Sequence, residues 1–247
     1  TLIGTIDDAG FAAQGLHSAA GAPIGLASIY GPAAPGVPYA LALGDGQISA
    51  AVAPSPLLQA ANFTVEGWVR RDFTATGQDV IFQQGAAGAG YALQVGSDGK
   101  LQFVVDGTVA EAPDVLRLGA WTHVAGVYDG TTLRLYVNGI DVADQALAGP
   151  VSYDSNGATI GASNSSGQNL WQGELDEIRV WNVARSATDI SNNMAFTLRA
   201  MPGLVGLWHL DETSGLTLAD GSGNGLDAVL GPIPGTATQL LSFDLTA

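Results

Sequence analysis

The stretch Gly173-Glu174-Leu175-Asp176-Glu177-Ile178-Arg179-Val180-Trp181-Asn182 constrains the fold more than any other. It reads as a β-strand, in which side chains alternate between two faces. Strict alternation puts Asp176, Ile178 and Val180 on one face and Leu175, Glu177, Arg179 and Trp181 on the other. Ile178 and Val180 are β-branched and suit a sheet interior. A buried carboxylate is costly unless it is hydrogen-bonded, ion-paired or bound to a metal. Asp176 therefore needs a partner.

Other segments supply strands to pair with it. Phe63, Val65, Gly67 and Val69 alternate with Thr64, Glu66, Trp68 and Arg70. Residues 91–95 and 101–105 flank Asp98-Gly99, and 121–128 and 133–137 flank Asp129-Gly130. Both read as hairpins, since Gly supplies the positive φ of a tight turn. Asn138-Gly139 turns the chain into 140–143. Short strands are also expected at 39–43, 48–52, 80–84, 203–210 and 240–245. Residues 158–161 are expected to pair with the 173–182 strand. Ser186 and Asp189 have capping-box spacing, which predicts one helix over 186–194. The 34 glycines and a charged fraction of 13% suit many short strands joined by tight turns.

Charge and cysteine content narrow the function. With 23 acidic against 8 basic residues the net charge is −15, which disfavours nucleic acid, whose phosphates need Lys and Arg. No cysteine is present, so disulfides and thiolate metal sites are excluded. No apolar run reaches the roughly 18 residues of a membrane-spanning helix.

Four motifs then occur in order: Phe63-Thr-Val-Glu-Gly-Trp-Val69, Trp121-Thr-His-Val-Ala-Gly-Val-Tyr-Asp-Gly130, Leu133-Arg-Leu-Tyr-Val-Asn-Gly139 and Leu175-Asp-Glu-Ile-Arg-Val-Trp-Asn182. The series resembles the laminin-G-like, concanavalin A-like jelly-roll family. The resemblance implies an all-β sandwich of two antiparallel sheets with one short helix. It divides the chain into an N-terminal extension (1–36), the jelly roll (37–200) and a C-terminal segment (201–247). Gly203-Leu-Val-Gly-Leu-Trp-His-Leu-Asp-Glu212, followed by Asp220-Gly-Ser-Gly-Asn-Gly225, resembles the segment that often begins such a domain. Here it follows the domain, so it packs on its own jelly roll or completes a neighbouring copy.

The resemblance also supplies a partner for Asp176. In related jelly rolls a structural calcium often sits where an early loop meets the last strand. By that likeness Asp45, within Gly44-Asp45-Gly46, and Asp176 flank a Ca2+ whose shell is completed by backbone carbonyls. The alternative is that Asp176 accepts backbone N–H groups from a nearby turn. Asp220-Gly-Ser-Gly-Asn-Gly225 imitates an EF-hand start but has Gly231 where the bidentate Glu belongs, so it reads as a turn.

Glu174-Leu-Asp176 could pass for the acid pair of a jelly-roll glycosidase, but the third acid of that pattern is replaced by Arg179. No histidine has metal-site spacing, and no catalytic residue is expected. Trp171, after a polar loop holding Asn164 and Asn169, is the candidate ligand platform, with those two amides beside it. The expected role is a non-catalytic extracellular or cell-surface module that recognises a glycan or a protein surface in adhesion. The competing role is a self-assembling filament or array subunit that exchanges terminal strands.

Overall fold

The computed structural model describes residues 40–43, 48–72, 77–86, 88–163, 169–212 and 214–232. The expected extension at 1–36, Gly44, Asp45, Asn164 and the strand at 240–245 lie outside these residues. The strands are β1 (Leu41–Leu43), β2 (Ile48–Val52), β3 (Phe63–Arg71), β4 (Asp79–Gln84), β5 (Tyr91–Val95), β6 (Lys100–Val105), β7 (Thr108–Val115) and β8 (Thr122–Tyr128). They continue with β9 (Thr132–Val137), β10 (Ile140–Ala146), β11 (Ala158–Ile160), β12 (Gly173–Trp181), β13 (Leu204–Trp208), β14 (Thr217–Leu218) and β15 (Ala228–Pro232). Helix α1 spans Ala187–Asn193, and both arms of its Ser186–Asp189 capping box are made.

All strand pairs are antiparallel, in two sheets. One runs β1-β12-β3-β8-β9-β10, with β13 also paired to β12; the other runs β14-β15-β2-β11-β4-β5-β6-β7. The inner faces meet in a single core. Phe63, Val65, Val69, Leu175, Ile178 and Val180 come from the first sheet, and Phe82, Tyr91, Leu93, Phe103 and Ile160 from the second. Phe63 stacks on Tyr91 with ring centroids 4.1 Å apart. Two antiparallel sheets face to face around such a core make a jelly-roll sandwich with one short helix, as the motif series implied.

Three local expectations need correction. First, residues 158–160 do not pair with β12; β11 lies in the opposite sheet between β2 and β4. Second, alternation along β12 breaks. Asp176 stands opposite Trp68 and Arg179 opposite Glu66, so Glu177 and Ile178 together face Gly67. This is a β-bulge, with Glu177 left-handed at φ 50°. It turns Leu175, Ile178 and Val180 all inward and leaves Asp176 on the outer side with Trp68. A Cβ on Gly67 would collide with Ile178 Cδ1, so the bulge needs glycine opposite it. Third, Trp171 is in the core and fully buried, with its Nε1 donating to the Glu174 carbonyl at 3.2 Å.

The described part of the C-terminal segment, up to residue 232, packs on its own jelly roll. β13 takes the half of β12 that β1 leaves unpaired, since β1 covers 173–175 and β13 covers 178–181. β15 adds to β2 in the other sheet. Between them Trp208 enters the core, 6.0 Å from Phe82, and donates its Nε1 to the Leu226 carbonyl at 2.8 Å.

The turn that reads like an EF-hand is a turn. Asp220 Oδ1 accepts from the N–H groups of Leu207 (3.1 Å) and Ser222 (2.9 Å), and Oδ2 from Leu226 N–H (2.9 Å) and Ser222 Oγ (2.8 Å). Both oxygens are thus committed to the chain itself.

Trp208→Ala is expected to cost about 3–5 kcal/mol in urea unfolding, because it empties a fully buried site where the two sheets meet. A pH effect follows at Asp220. Burial opposes its ionisation, but the Ser222, Leu226 and Leu207 hydrogen bonds outweigh it and hold the carboxyl below its ordinary value. The stabilisation is present above the unfolded pKa of about 3.9 and is lost as pH falls through the lower folded value. Asp220→Ala should therefore lose about 2–4 kcal/mol at neutral pH, a deficit that shrinks in acid, as read from unfolding curves across pH.

Candidate functional site

The outer face of the first sheet is covered. Ile190 of α1 packs on Ala125, Val127 and Tyr136, and Leu198 packs with Trp181, Leu204 and Leu207. Beneath them lies a sealed charged layer. Glu66 Oε1 accepts from Trp181 Nε1 at 2.9 Å and Arg185 Nη1 at 3.1 Å. Arg179 donates to Glu177 at 2.8 Å and to the Phe196 carbonyl at 2.6 Å, and Glu177 meets His209 at 2.6 Å. Burial, and then the Arg179 and Arg185 charges, push the His123 imidazole well below its usual value, so it stays neutral. Glu66, His123 and Arg179 are at most 1% exposed. Their packing ties α1 and the β13 exit to the sheet and offers no route to a ligand.

Among the described residues two concave surfaces stand out. One is a groove of about 180 Å3 on the outer face of the second sheet. Gln83, Gln94 and Ala92 lie along it, and Asn169 and Ser163 line it where β12 is approached. Its amides are partly engaged: Gln83 donates to the Gly85 carbonyl at 3.1 Å, Gln94 to Gln102 at 3.0 Å, and Asn169 to Gln78 at 3.4 Å. The structure thus separates the two expected ligand residues it describes, with Asn169 on this groove and Trp171 in the core.

The larger is a cleft of about 250 Å3 at the end of the sandwich where β3, β7 and β9 finish and β8 begins. Leu101, Leu116, Val137 and Val142 make its floor, and Trp121, Asp114, Arg117 and Asn138 stand around it. The 116–121 loop is pinned in place. Leu116 N–H donates to the Gly99 carbonyl at 2.8 Å, and Gly119 N–H to the Arg71 carbonyl at 2.7 Å. Gly119 takes φ 67°, which a side chain would oppose. Asn138 is held at φ 49°, and its Oδ1 accepts the His123 N–H at 2.9 Å, leaving Nδ2 to donate. The Arg70 guanidinium lies over the Trp121 ring, 6.0 Å from its centroid. At the loop base Arg71 and Asp79 form a buried ion pair at 2.7 Å. Burial pushes the Asp79 carboxyl up, and Arg71 offsets part of that rise.

Of the five tryptophans, Trp68, Trp171, Trp181 and Trp208 are at most 2% exposed. Trp121 is half-buried and lines this cleft. Sequence reading missed it because Trp121 opens a hairpin motif and looks like strand. The turn signal Gly119 two residues before it marks it as a loop residue.

Asp176 is placed apart from both surfaces. Its Oδ1 accepts the Glu177 N–H at 2.9 Å, and its Oδ2 is buried with no hydrogen-bond partner. Burial first, and then the Glu177 and Asp211 charges, push its carboxyl up to about 8. An orphaned buried carboxylate oxygen suits a calcium ligand. Among the described residues, however, no three His, Asp or Glu side chains converge on one point. The rest of a shell would have to come from backbone carbonyls or from Asp45. β1 ends at Leu43 opposite Gly173, three positions along β12 from Asp176.

The family described as the concanavalin A-like lectin/glucanases superfamily matches residues 44–191. The chain belongs to that superfamily. A putative carbohydrate binding protein from Bacteroides ovatus superposes with a TM-score of 0.68 at 23% identity, over 80% of this chain and 59% of that one. The CBM40 domain of a Ruminococcus gnavus IT-sialidase superposes at 0.50 and 14% identity, over 63% and 95%. At these identities the likeness is one of fold. Pappalysin-1 of Mus musculus is 30% identical over 81 residues, which are 31% of this chain and 5% of that protein.

Arg71→Ala should cost about 3–5 kcal/mol in denaturant unfolding, because it leaves Asp79 buried without its counter-charge.

Proposed function

We propose that this concanavalin A-like domain is a non-catalytic carbohydrate-recognition module acting outside the cell, and that the Trp121 cleft holds the sugar. The observation that carries this reading is the composition of the cleft. It combines the half-buried Trp121 of the pinned loop, an apolar floor, and the planar polar groups of Asp114 near the end of β7 and Asn138 in the turn after β9. Flat apolar sugar faces pack on an indole, and carboxylate and amide groups take up sugar hydroxyls. Among the described residues lining the cleft, Asp114 is the one carboxylate, whereas glycoside hydrolysis ordinarily uses a pair. The fold likeness to a putative carbohydrate binding protein supports the same reading. A role as a strand-exchanging filament subunit has less support, because β13, β14 and β15 pair within the sheets of their own chain.

Trp121→Ala is expected to weaken oligosaccharide binding by about thirtyfold or more, the cost of truncating a tryptophan anchor by roughly 2 kcal/mol. Isothermal titration against a glycan panel measures this. Equal affinity in the variant and the parent contradicts the reading.

A calcium ion anchored by Asp176 would stabilise the sandwich without taking part in recognition. A ligand that binds only the folded state raises apparent stability, by about 2.7 kcal/mol at a hundredfold excess over Kd. Chelator should therefore lower the Tm of the parent chain and leave that of Asp176→Ala where it was. An unchanged Tm in the parent argues against the ion.

A further inference from the structure

The cleft carries a cation that no carboxylate among the described residues pairs with. Eight Lys and Arg residues face 23 Asp and Glu. Arg70, Arg71, Lys100, Arg134, Arg179 and Arg185 each make an ion pair with a carboxylate. Eight less these six leaves Arg117 and Arg199, which make none among the described residues. Arg199 is exposed between α1 and β13 and lines neither concave surface. Arg117 is exposed and lines the Trp121 cleft. In a chain this acidic, an arginine left without a carboxylate has its binding capacity in reserve. Its guanidinium presents a fixed fork of donors that matches a carboxylate bidentately.

We propose that the cleft selects an acidic sugar, with Arg117 receiving the carboxylate of a uronic acid ring that packs on Trp121. The proposal rests on the recognition role given above and adds the chemical class of its ligand. Three features fix that class. The cleft is small beside the roughly 300–1,000 Å3 of pockets for drug-sized ligands, so it takes a single ring. Asp114 shares the cleft with Arg117, and among the described residues neither makes an ion pair. Asp114 therefore remains an acceptor for ring hydroxyls and repels a second negative charge. The net charge of −15 repels polyanions at longer range. One carboxylate on a ring with free hydroxyls satisfies both Arg117 and Asp114, whereas a densely sulfated chain does not.

The test uses the full chain and matched oligosaccharide pairs, such as cellobiose with cellobiouronic acid, in which one ring differs by a C6 carboxylate. Isothermal titration reads the affinity ratio of acidic to neutral member. The parent chain is expected to prefer acidic members by about tenfold or more, as charge-assisted hydrogen bonding allows. In Arg117→Gln that ratio should fall to about one, with Tm unchanged because Arg117 is exposed and unpaired. A parent ratio near one, or a ratio that survives Arg117→Gln, overturns the proposal. If neutral members bind and need Trp121 but acidic members gain nothing, recognition stands and the acidic class falls. If no member of any pair binds, both fall.

Discussion

The bulge in β12 is the constraint on which the rest of the sandwich depends. Two residues, Glu177 and Ile178, face one, Gly67. Without that insertion, strict alternation would turn Ile178 and Val180 away from the core that Leu175 enters, or pull Asp176 into it. With it, one strand buries three aliphatic residues inward and sends Glu177, Arg179 and Trp181 outward into the layer under α1. The left-handed backbone of Glu177 costs about 1–2 kcal/mol. Its side chain offsets this by bonding Arg179 and His209 at once. The covered face leaves the second sheet and the loop ends as the surfaces where a ligand can sit.

Closure of the two sheets fixes what those loop ends can do. β13 and β15 come from the C-terminal segment and add to β12 in one sheet and to β2 in the other, so both sheets depend on residues far from the cleft in sequence. Around that frame the 116–121 loop is held by backbone hydrogen bonds and by the Arg71–Asp79 pair at its base. A binding loop on a rigid scaffold keeps its aromatic group aimed with little ordering cost on association. The deep burial of the other four tryptophans and the accessibility of Trp121 follow from the same division between frame and loop.

Much of the fold was legible in the residues. The hairpins at Asp98-Gly99 and Asp129-Gly130 and the Ser186–Asp189 helix start were marked by local turn and cap chemistry, which tertiary context did not override. The bulge was not legible, because period-two reading has no symbol for an inserted residue; the small Gly67 on the facing strand was its only trace. β7 escaped because Pro113 and its small residues weaken strand propensity, and an edge strand tolerates both. β15 escaped because Ala228–Pro232 carries Gly231 and Pro232. The site was less legible than the fold. Trp171 followed a polar loop, yet the chain had already turned inward there, while Trp121 wore the signature of a strand and stands on a loop. Proximity to polar sequence is a weak guide to exposure when a turn of one or two residues reverses the direction of a side chain.

On the proposed function, ligand binds at the end of the sandwich and not on the open face of the second sheet. Backbone amide shifts of the isotope-labelled chain, followed by NMR during titration with a bound oligosaccharide, test this most directly. The largest changes should fall on Asp114, Arg117, Trp121 and Asn138, with the sheet-face residues Gln83, Ala92 and Gln94 still. Changes centred on those three, with the Trp121 loop unmoved, would contradict it.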